Sequence, residues 1–88
     1  MLRIRKWENG GEVVFMLSGL MDEEAIAELE ALISSEANGR RVILDLKDLT
    51  LVNEDAIRFL ERSETDSITL RNCAAYVREW ITRQRRGS

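Results

Sequence analysis

The chain has 88 residues, of which 44% are hydrophobic and 33% are charged. This balance predicts one folded domain with a modest core, over residues 1–86, followed by a C-terminal tail at 87–88. No apolar run approaches the roughly 20 residues that a membrane span needs, which argues against membrane insertion. Cys73 is the single cysteine and there is no histidine. We therefore predict a cytoplasmic protein without disulfides, cofactors or a metal site.

Charge is distributed unevenly along the chain, although the net charge is only −3. Residues 1–7 carry +3, residues 8–66 carry −10 and residues 67–88 carry +4. One interpretation is that these charges form solvated faces that keep the domain soluble. The other is that they form an electrostatic docking surface for a charged protein partner or for a second copy. The acidic middle of the chain argues against nucleic acid as a partner.

The first 20 residues have the pattern of a β-hairpin. Alternation of apolar and basic residues over Leu2–Trp7 predicts an edge strand, and Asn9-Gly10 predicts a tight turn with positive φ angles. The next strand, at about 12–17, is apolar on both faces and should lie inside the sheet. Ser18-Gly19 is expected to end it.

Three amphipathic segments alternate with apolar ones in the rest of the chain, which predicts an α/β fold. Asp22 is expected to cap the first helix at its N-terminus, and Asn38-Gly39 to close it with a left-handed C-cap. The element order is predicted to be ββαβαβα, giving a four-stranded mixed sheet covered by three helices. The remaining elements are expected at 41–46 (strand), 54–62 (helix), around 68–70 (strand) and 73–85 (helix).

Two stretches resemble a known family. Gly19-Leu20-Met21-Asp22, followed by an amphipathic helix, resembles the Gly-x-Leu-Asp entry to the first helix of STAS domains, the sulphate-transporter and anti-sigma-factor-antagonist modules. The stretch Val42–Val52 resembles the strand and loop that lead to that family's regulatory turn. The resemblance covers roughly residues 2–82 and implies a STAS-like fold.

The regulatory turn itself departs from the family pattern. Anti-sigma-factor antagonists have Asp-Ser-Ser-Gly there, with a serine that the partner kinase phosphorylates, whereas this chain has Asn53-Glu54-Asp55-Ala56. Because both hydroxyls are replaced by carboxylates, the resemblance implies a divergent member without the serine phosphoswitch. Thr50 precedes the family's phosphorylation position and does not take over that role.

The residues of this turn also suit a purely structural role, since Asn53 can cap a helix and two acids in the first turn interact favourably with the helix dipole. The resemblance adds that the turn faces a protein partner, and that its permanent negative charge resembles a phosphorylated state. The predicted partner-binding residues are Thr50, Asn53, Glu54, Asp55, Arg58, Glu61 and Arg62.

Catalysis is the weaker alternative. Asp45, Asp48, Glu54 and Asp55 are carboxylates of the kind that Mg²⁺ binds, but no phosphate-cradling glycine loop and no nucleophile–base pair accompany them. We therefore predict no enzymatic activity and no catalytic residues. Cys73 is expected to begin the third helix as a core-filling residue. Trp7 and Trp80 are expected to pack in the core unless exposed, in which case they become interface candidates.

The expected function is that of a small protein-interaction or regulatory domain. The resemblance implies an anti-sigma factor or a serine-kinase-like regulator as the partner. Alternatives are a cytoplasmic subunit of a membrane transport complex, a nucleotide or small-ligand sensor, and a homodimer formed through the edge strand.

Overall fold

A computed structural model describes residues 2–36 and 39–87, and it confirms the predicted element order. Four strands and three helices follow one another as ββαβαβα. Their bounds are β1 Leu2–Glu8, β2 Glu12–Met21, α1 Glu23–Ser34, β3 Arg41–Val52, α2 Glu54–Thr65, β4 Thr69–Arg71 and α3 Ala75–Gly87.

The strands form one mixed sheet in the order β1-β2-β3-β4. The hairpin strands β1 and β2 are antiparallel, with Leu2 opposite Gly19 and Glu8 opposite Val13. The pairs β2–β3 and β3–β4 are parallel, so each is joined through a helix. As predicted, β1 lies at an edge and β2 lies inside the sheet.

The three helices cover one face of the sheet. Val13, Phe15 and Leu17 alternate along β2 and belong to the same buried cluster as the apolar residues of all three helices. The opposite face has no helix on it in the described part of the chain. Trp7, which pairs with Val14 on that face, is 53% exposed and is therefore not a core residue. Trp80 is partly buried against the core.

The hairpin turn is closed by a hydrogen bond from the Asn9 N–H to the Glu12 carbonyl oxygen (3.0 Å) and by the Asn9 side chain, without the positive φ angles that the sequence predicted. The Asn9 carboxamide oxygen accepts hydrogen bonds from the backbone N–H groups of Gly11 (3.0 Å) and Glu12 (2.9 Å). Neither Asn9 nor Gly10 has a positive φ angle. The asparagine therefore acts through its amide and not through its tolerance of left-handed backbone.

Both central strands are longer than the sequence predicted. Gly19 does not end β2, because its φ of 98° lets the strand continue through a register shift to Met21. The partner strand β3 likewise continues past Leu46 to Val52, and its register with β2 skips Leu46, Lys47 and Thr50. Thr50 thus lies in a strand, not in the turn. The strand extensions contain polar residues such as Ser18, Lys47 and Asp48, which interrupt the apolar pattern from which strands are predicted.

The ends of two helices also differ from the prediction. Helix α1 ends at Ser34 and its C-cap is Ser35. Gly39 has the left-handed backbone that was predicted (φ 92°), but it lies beyond the cap. Asn38 lies outside the described residues. Helix α3 begins at Ala75, so Cys73 precedes it, and burial raises the pKa of the Cys73 thiol. The same helix extends to Gly87, one residue into the predicted tail.

Two arginines of the basic third helix bind acids on α2. The Arg78 guanidinium donates two hydrogen bonds to the Glu64 carboxylate, at 2.7 and 2.8 Å. Arg85 lies 3.2 Å from Glu64 and 3.5 Å from Glu61. Part of the positive charge that suggested a docking surface therefore joins α3 to α2.

The Glu64–Arg78 pair predicts a pH dependence of stability. The Arg78 hydrogen bonds lower the pKa of Glu64 below its ordinary value of about 4.5. Because this pKa is lower in the folded protein than in the unfolded chain, the charged Glu64 side chain stabilises the fold at pH values above about 4.5. This contribution to the free energy of unfolding is lost as the pH falls through the lowered pKa. We expect Glu64→Gln to cost about 1 kcal/mol at pH 7, since both side chains are partly exposed.

Urea unfolding of both proteins at pH 7 and pH 3 checks this expectation. The difference between wild type and Glu64→Gln should be smaller at pH 3, because below about 4.5 the carboxyl of the unfolded chain takes up a proton and the advantage of the charged, paired form declines. Glu61→Gln, which removes a longer contact with Arg85, is the control and should show the smaller difference at pH 7. A difference for Glu64→Gln that is the same at both pH values would contradict the assignment.

Candidate functional site

The turn after β3 is held by the N-cap of α2. Asn53 has an extended backbone (φ −106°, ψ −178°), and its side-chain oxygen accepts a hydrogen bond from the Ala56 N–H at 2.8 Å. Glu54 and Asp55 occupy the first turn of the helix, where the dipole favours their charge. The capping role expected for Asn53 is confirmed, and its side chain is therefore committed to the helix.

Asn53→Ala should destabilise the domain by about 1 kcal/mol, because it leaves the Ala56 N–H without its capping oxygen. Asn53→Asp keeps an acceptor at the same position and should retain most of the wild-type stability. Chemical denaturation monitored by circular dichroism measures both variants. Equal loss in the two variants would show that the cap hydrogen bond is not what stabilises this turn.

A groove runs beside α2 at this end of the molecule. Helices α1 and α2 follow the adjacent parallel strands β2 and β3, so both helices begin at the same edge of the sheet. The groove has a volume of about 640 Å³ and is lined from all three helices. Its lining residues are Glu23, Ile26, Asp55, Arg58, Glu61, Arg62 and Gln84.

The structure brings four of the seven predicted binding residues together in this groove: Asp55, Arg58, Glu61 and Arg62. The other three, Thr50, Asn53 and Glu54, lie outside its lining.

Sequence reasoning missed the residues that α1 and α3 contribute, namely Glu23, Ile26 and Gln84. Glu23 and Ile26 were visible only as a first-turn acid and a core residue of their own helix. Their position beside α2 follows from the order of the strands, for which no local sequence signal exists.

One end of the groove is acidic. The Asp55 carboxylate raises the pKa of the Glu23 carboxyl, because it can accept a hydrogen bond from the protonated form and repels the ionised one. Two carboxylates from two helices thus lie close together at the N-terminal ends of α1 and α2. Arg58 lies 3.8 Å from Asp55, but its shorter contact, 2.8 Å, is with Glu54 outside the groove. The acidic end is therefore only partly neutralised by its neighbours.

The middle and the far end of the groove have a different character. Ile26 contributes an apolar side chain that is 8% exposed. Beyond it, Arg62 lies 3.8 Å from Glu30 and so links α2 to α1. Along α2 the groove lining therefore changes from the Asp55 carboxylate to the guanidinium groups of Arg58 and Arg62, with the Glu61 carboxylate beside Arg62.

The four acids considered as a magnesium site do not form one. Asp45 accepts hydrogen bonds from the Lys47 N–H (3.0 Å) and from the Asn72 side chain (3.1 Å), within the sheet. Within residues 2–36 and 39–87, no three acidic or cysteine side chains converge closely enough to hold a metal ion. In the same ranges, no helix is long and apolar enough to span a membrane.

The four-stranded mixed sheet, its three helices and their ββαβαβα order match the STAS-like fold that the sequence predicted. Comparison with solved structures agrees. The chain is similar to an uncharacterized protein of the DUF3478 family with a SpoIIAA-like fold, from Shewanella loihica PV-4. The TM-score is 0.60 at 15% identity, and the match covers 98% of this chain and 77% of that one. The chain therefore has the SpoIIAA-like fold.

A second similar structure is that of Mglu, with a TM-score of 0.57 at 21% identity. The match covers 76% of this chain but only 18% of Mglu, so the fold corresponds to a small part of a much larger protein. At these identities the two structures establish the fold alone. No protein-family model and no curated protein matches the sequence.

Proposed function

We propose that this STAS-like domain is a non-enzymatic, cytoplasmic regulatory module that binds a protein partner through the groove beside α2 and the adjoining turn. The observation that supports this proposal most is that Asp55, Arg58, Glu61 and Arg62, separated along α2, line one open groove. An exposed groove with charged walls and an apolar middle is typical of a surface that recognises another protein. A serine-kinase-like regulator or anti-sigma factor is the partner that the resemblance implies.

The turn next to the groove supports a partner interaction that is not switched by phosphorylation. Glu54 is exposed and Asp55 is half-buried, and both are carboxylates where the resembling family has serines. Their negative charge is permanent at neutral pH, whereas a phosphoserine's charge is added and removed. The domain would accordingly bind its partner constitutively, in a state that resembles the phosphorylated one.

Calorimetric titration with a serine-kinase-like regulator from the same organism tests this proposal. Replacing Glu54 and Asp55 together by alanine should change the affinity by about tenfold or more, because charge at the centre of an interface governs the fit. Their stability contribution through the helix dipole is smaller, about 0.3–1 kcal/mol each.

Glu24→Ala with Glu28→Ala is the matched control, since both residues are exposed acids of α1 outside the groove lining. This control removes the same charge and should bind as wild type does. Identical affinity for wild type and the Glu54/Asp55 variant would rule out a role for the turn in binding. Absence of any binding to the regulator would rule out this class of partner.

A further inference from the structure

The walls of the groove carry a spacing that matches one face of a helix. On α2, Asp55, Arg58 and Arg62 lie at positions i, i+3 and i+7, and on α1, Glu23 and Ile26 lie three residues apart. Residues at this spacing share one face of a helix, and seven residues span about 10 Å. The groove is therefore bounded by two helical faces, which extend about two turns on α2 and about one turn on α1.

The charges along the groove are ordered. Glu23 and Asp55 form an acidic end, and Ile26 lies one turn further along α1. Arg58 and Arg62 supply positive charge toward the other end. Glu61 also lines that end, but its carboxylate lies 3.5 Å from Arg85 of α3, which offsets its charge. An occupant that complements this order needs a basic side chain, then an apolar one, then an acidic one, each about one turn apart. An amphipathic helix presents such a series along a single face.

The ion pairs that now involve these arginines do not prevent such binding. Arg58 and Glu54 each have 59% of their side chain exposed, and the Arg62–Glu30 contact, at 3.8 Å, joins side chains that are 66% and 52% exposed. Exposed pairs of this kind contribute between about 0 and 1 kcal/mol. A partner carboxylate can therefore replace either acid at little cost.

From this arrangement we infer that the groove binds an amphipathic helix of the partner, which places a lysine or arginine between Glu23 and Asp55, an apolar side chain against Ile26, and a carboxylate at Arg58 and Arg62. This inference rests on the proposed function and specifies the chemistry of the partner.

Two synthetic helical peptides test the inference. Both are stapled, about 15 residues long and identical except at one position. The first presents Lys, Leu and Glu at i, i+3 and i+7, and the second presents Glu, Leu and Glu. We expect the first peptide to bind the wild-type protein about tenfold more tightly, as one exchanged charge at a complementary site is worth at least about 1.4 kcal/mol. Fluorescence anisotropy measures the affinities.

A charge exchange in the protein provides the specific readout. Glu23→Lys with Asp55→Lys should reverse the order of the two peptides, because the acidic end of the groove then becomes basic, repels the lysine of the first peptide and attracts the glutamate that replaces it in the second. Glu24→Lys with Glu28→Lys changes the net charge equally from an exposed surface outside the groove lining. That control should keep the wild-type order, and circular dichroism verifies that both variants are folded.

Equal affinity of the two peptides for the wild-type protein would overturn the inference, and so would reversal of their order in the control variant. These outcomes are separate from failure of the proposed function. If the regulator binds through Glu54 and Asp55 but the two peptides bind with equal affinity, the proposed function is supported and the inference of a helix in the groove is wrong. If the two peptides bind with different affinities but the regulator does not bind, the inference about the groove is supported and the proposed partner is wrong.

Discussion

Phe15→Ala should remove about 3–5 kcal/mol of stability, the largest loss that we expect from a single substitution. Phe15 lies in the interior strand β2 with 0% exposure, and it belongs to the cluster that joins the sheet to all three helices. Truncation to alanine removes the burial of an aromatic ring and leaves a cavity between the two layers. Domains of this size are stable by little more than about 5 kcal/mol, so the variant should be close to unfolding at 25 °C.

Tyr76→Ala is the matched control, because it truncates an aromatic side chain that is 51% exposed. Its cost should stay below about 1 kcal/mol. Phe15→Leu keeps most of the buried volume and should lose less than about 1.5 kcal/mol, which provides a folded variant if Phe15→Ala cannot be purified. Urea midpoints of the three variants measure the series. Similar midpoints for Phe15→Ala and Tyr76→Ala would show that Phe15 is not a buried residue of the core.

The second large effect concerns binding. Replacing Arg58 and Arg62 together by glutamate should weaken binding to the regulator by about tenfold to a hundredfold. Each substitution exchanges a positive charge on the groove wall for a negative one, so an attraction to the partner becomes a repulsion. The fold should be retained, since both residues are exposed and their ion pairs are weak.

Arg41→Glu with Arg71→Glu controls for net charge in this experiment. Both residues are exposed on strands and lie outside the lining of the groove, so their substitution changes the net charge by the same amount at another surface. Calorimetric affinities at two salt concentrations separate a local contact from long-range steering, which salt screens. If the control weakens binding as much as the groove variant does, the partner senses overall charge and not this groove.

Much of the fold was predictable, because it depends on local patterns. Alternation in β1, apolar continuity in β2 and the capping residues Asp22 and Asn53 are signals contained within a few residues, and each predicted its element correctly. The missed parts are of another kind. The extensions of β2 and β3 depend on register shifts in the pairing of these two strands. The register of a strand pair cannot be read from the sequence of one strand alone.

The candidate site was predictable only along one helix. The resemblance drew attention to the turn and to α2, and four of the residues named there line the groove. Glu23 and Ile26 were beyond prediction, since a residue's neighbour on the next helix is fixed by strand order and not by its own surroundings in the chain. The arginines of α3 illustrate the same limit, because the positive charge of residues 67–88 suggested an electrostatic docking surface, whereas Arg78 binds Glu64.

Hydrogen exchange of the domain with and without the regulator tests the central claim most directly, since it locates the contact without any substitution. Binding through the groove predicts slower exchange in the first two turns of α1 and in α2 from Glu54 to Arg62, with β1 and β4 unchanged. Slower exchange confined to β1, or to the sheet face that carries Trp7, would contradict the account and assign the partner to the opposite side of the molecule.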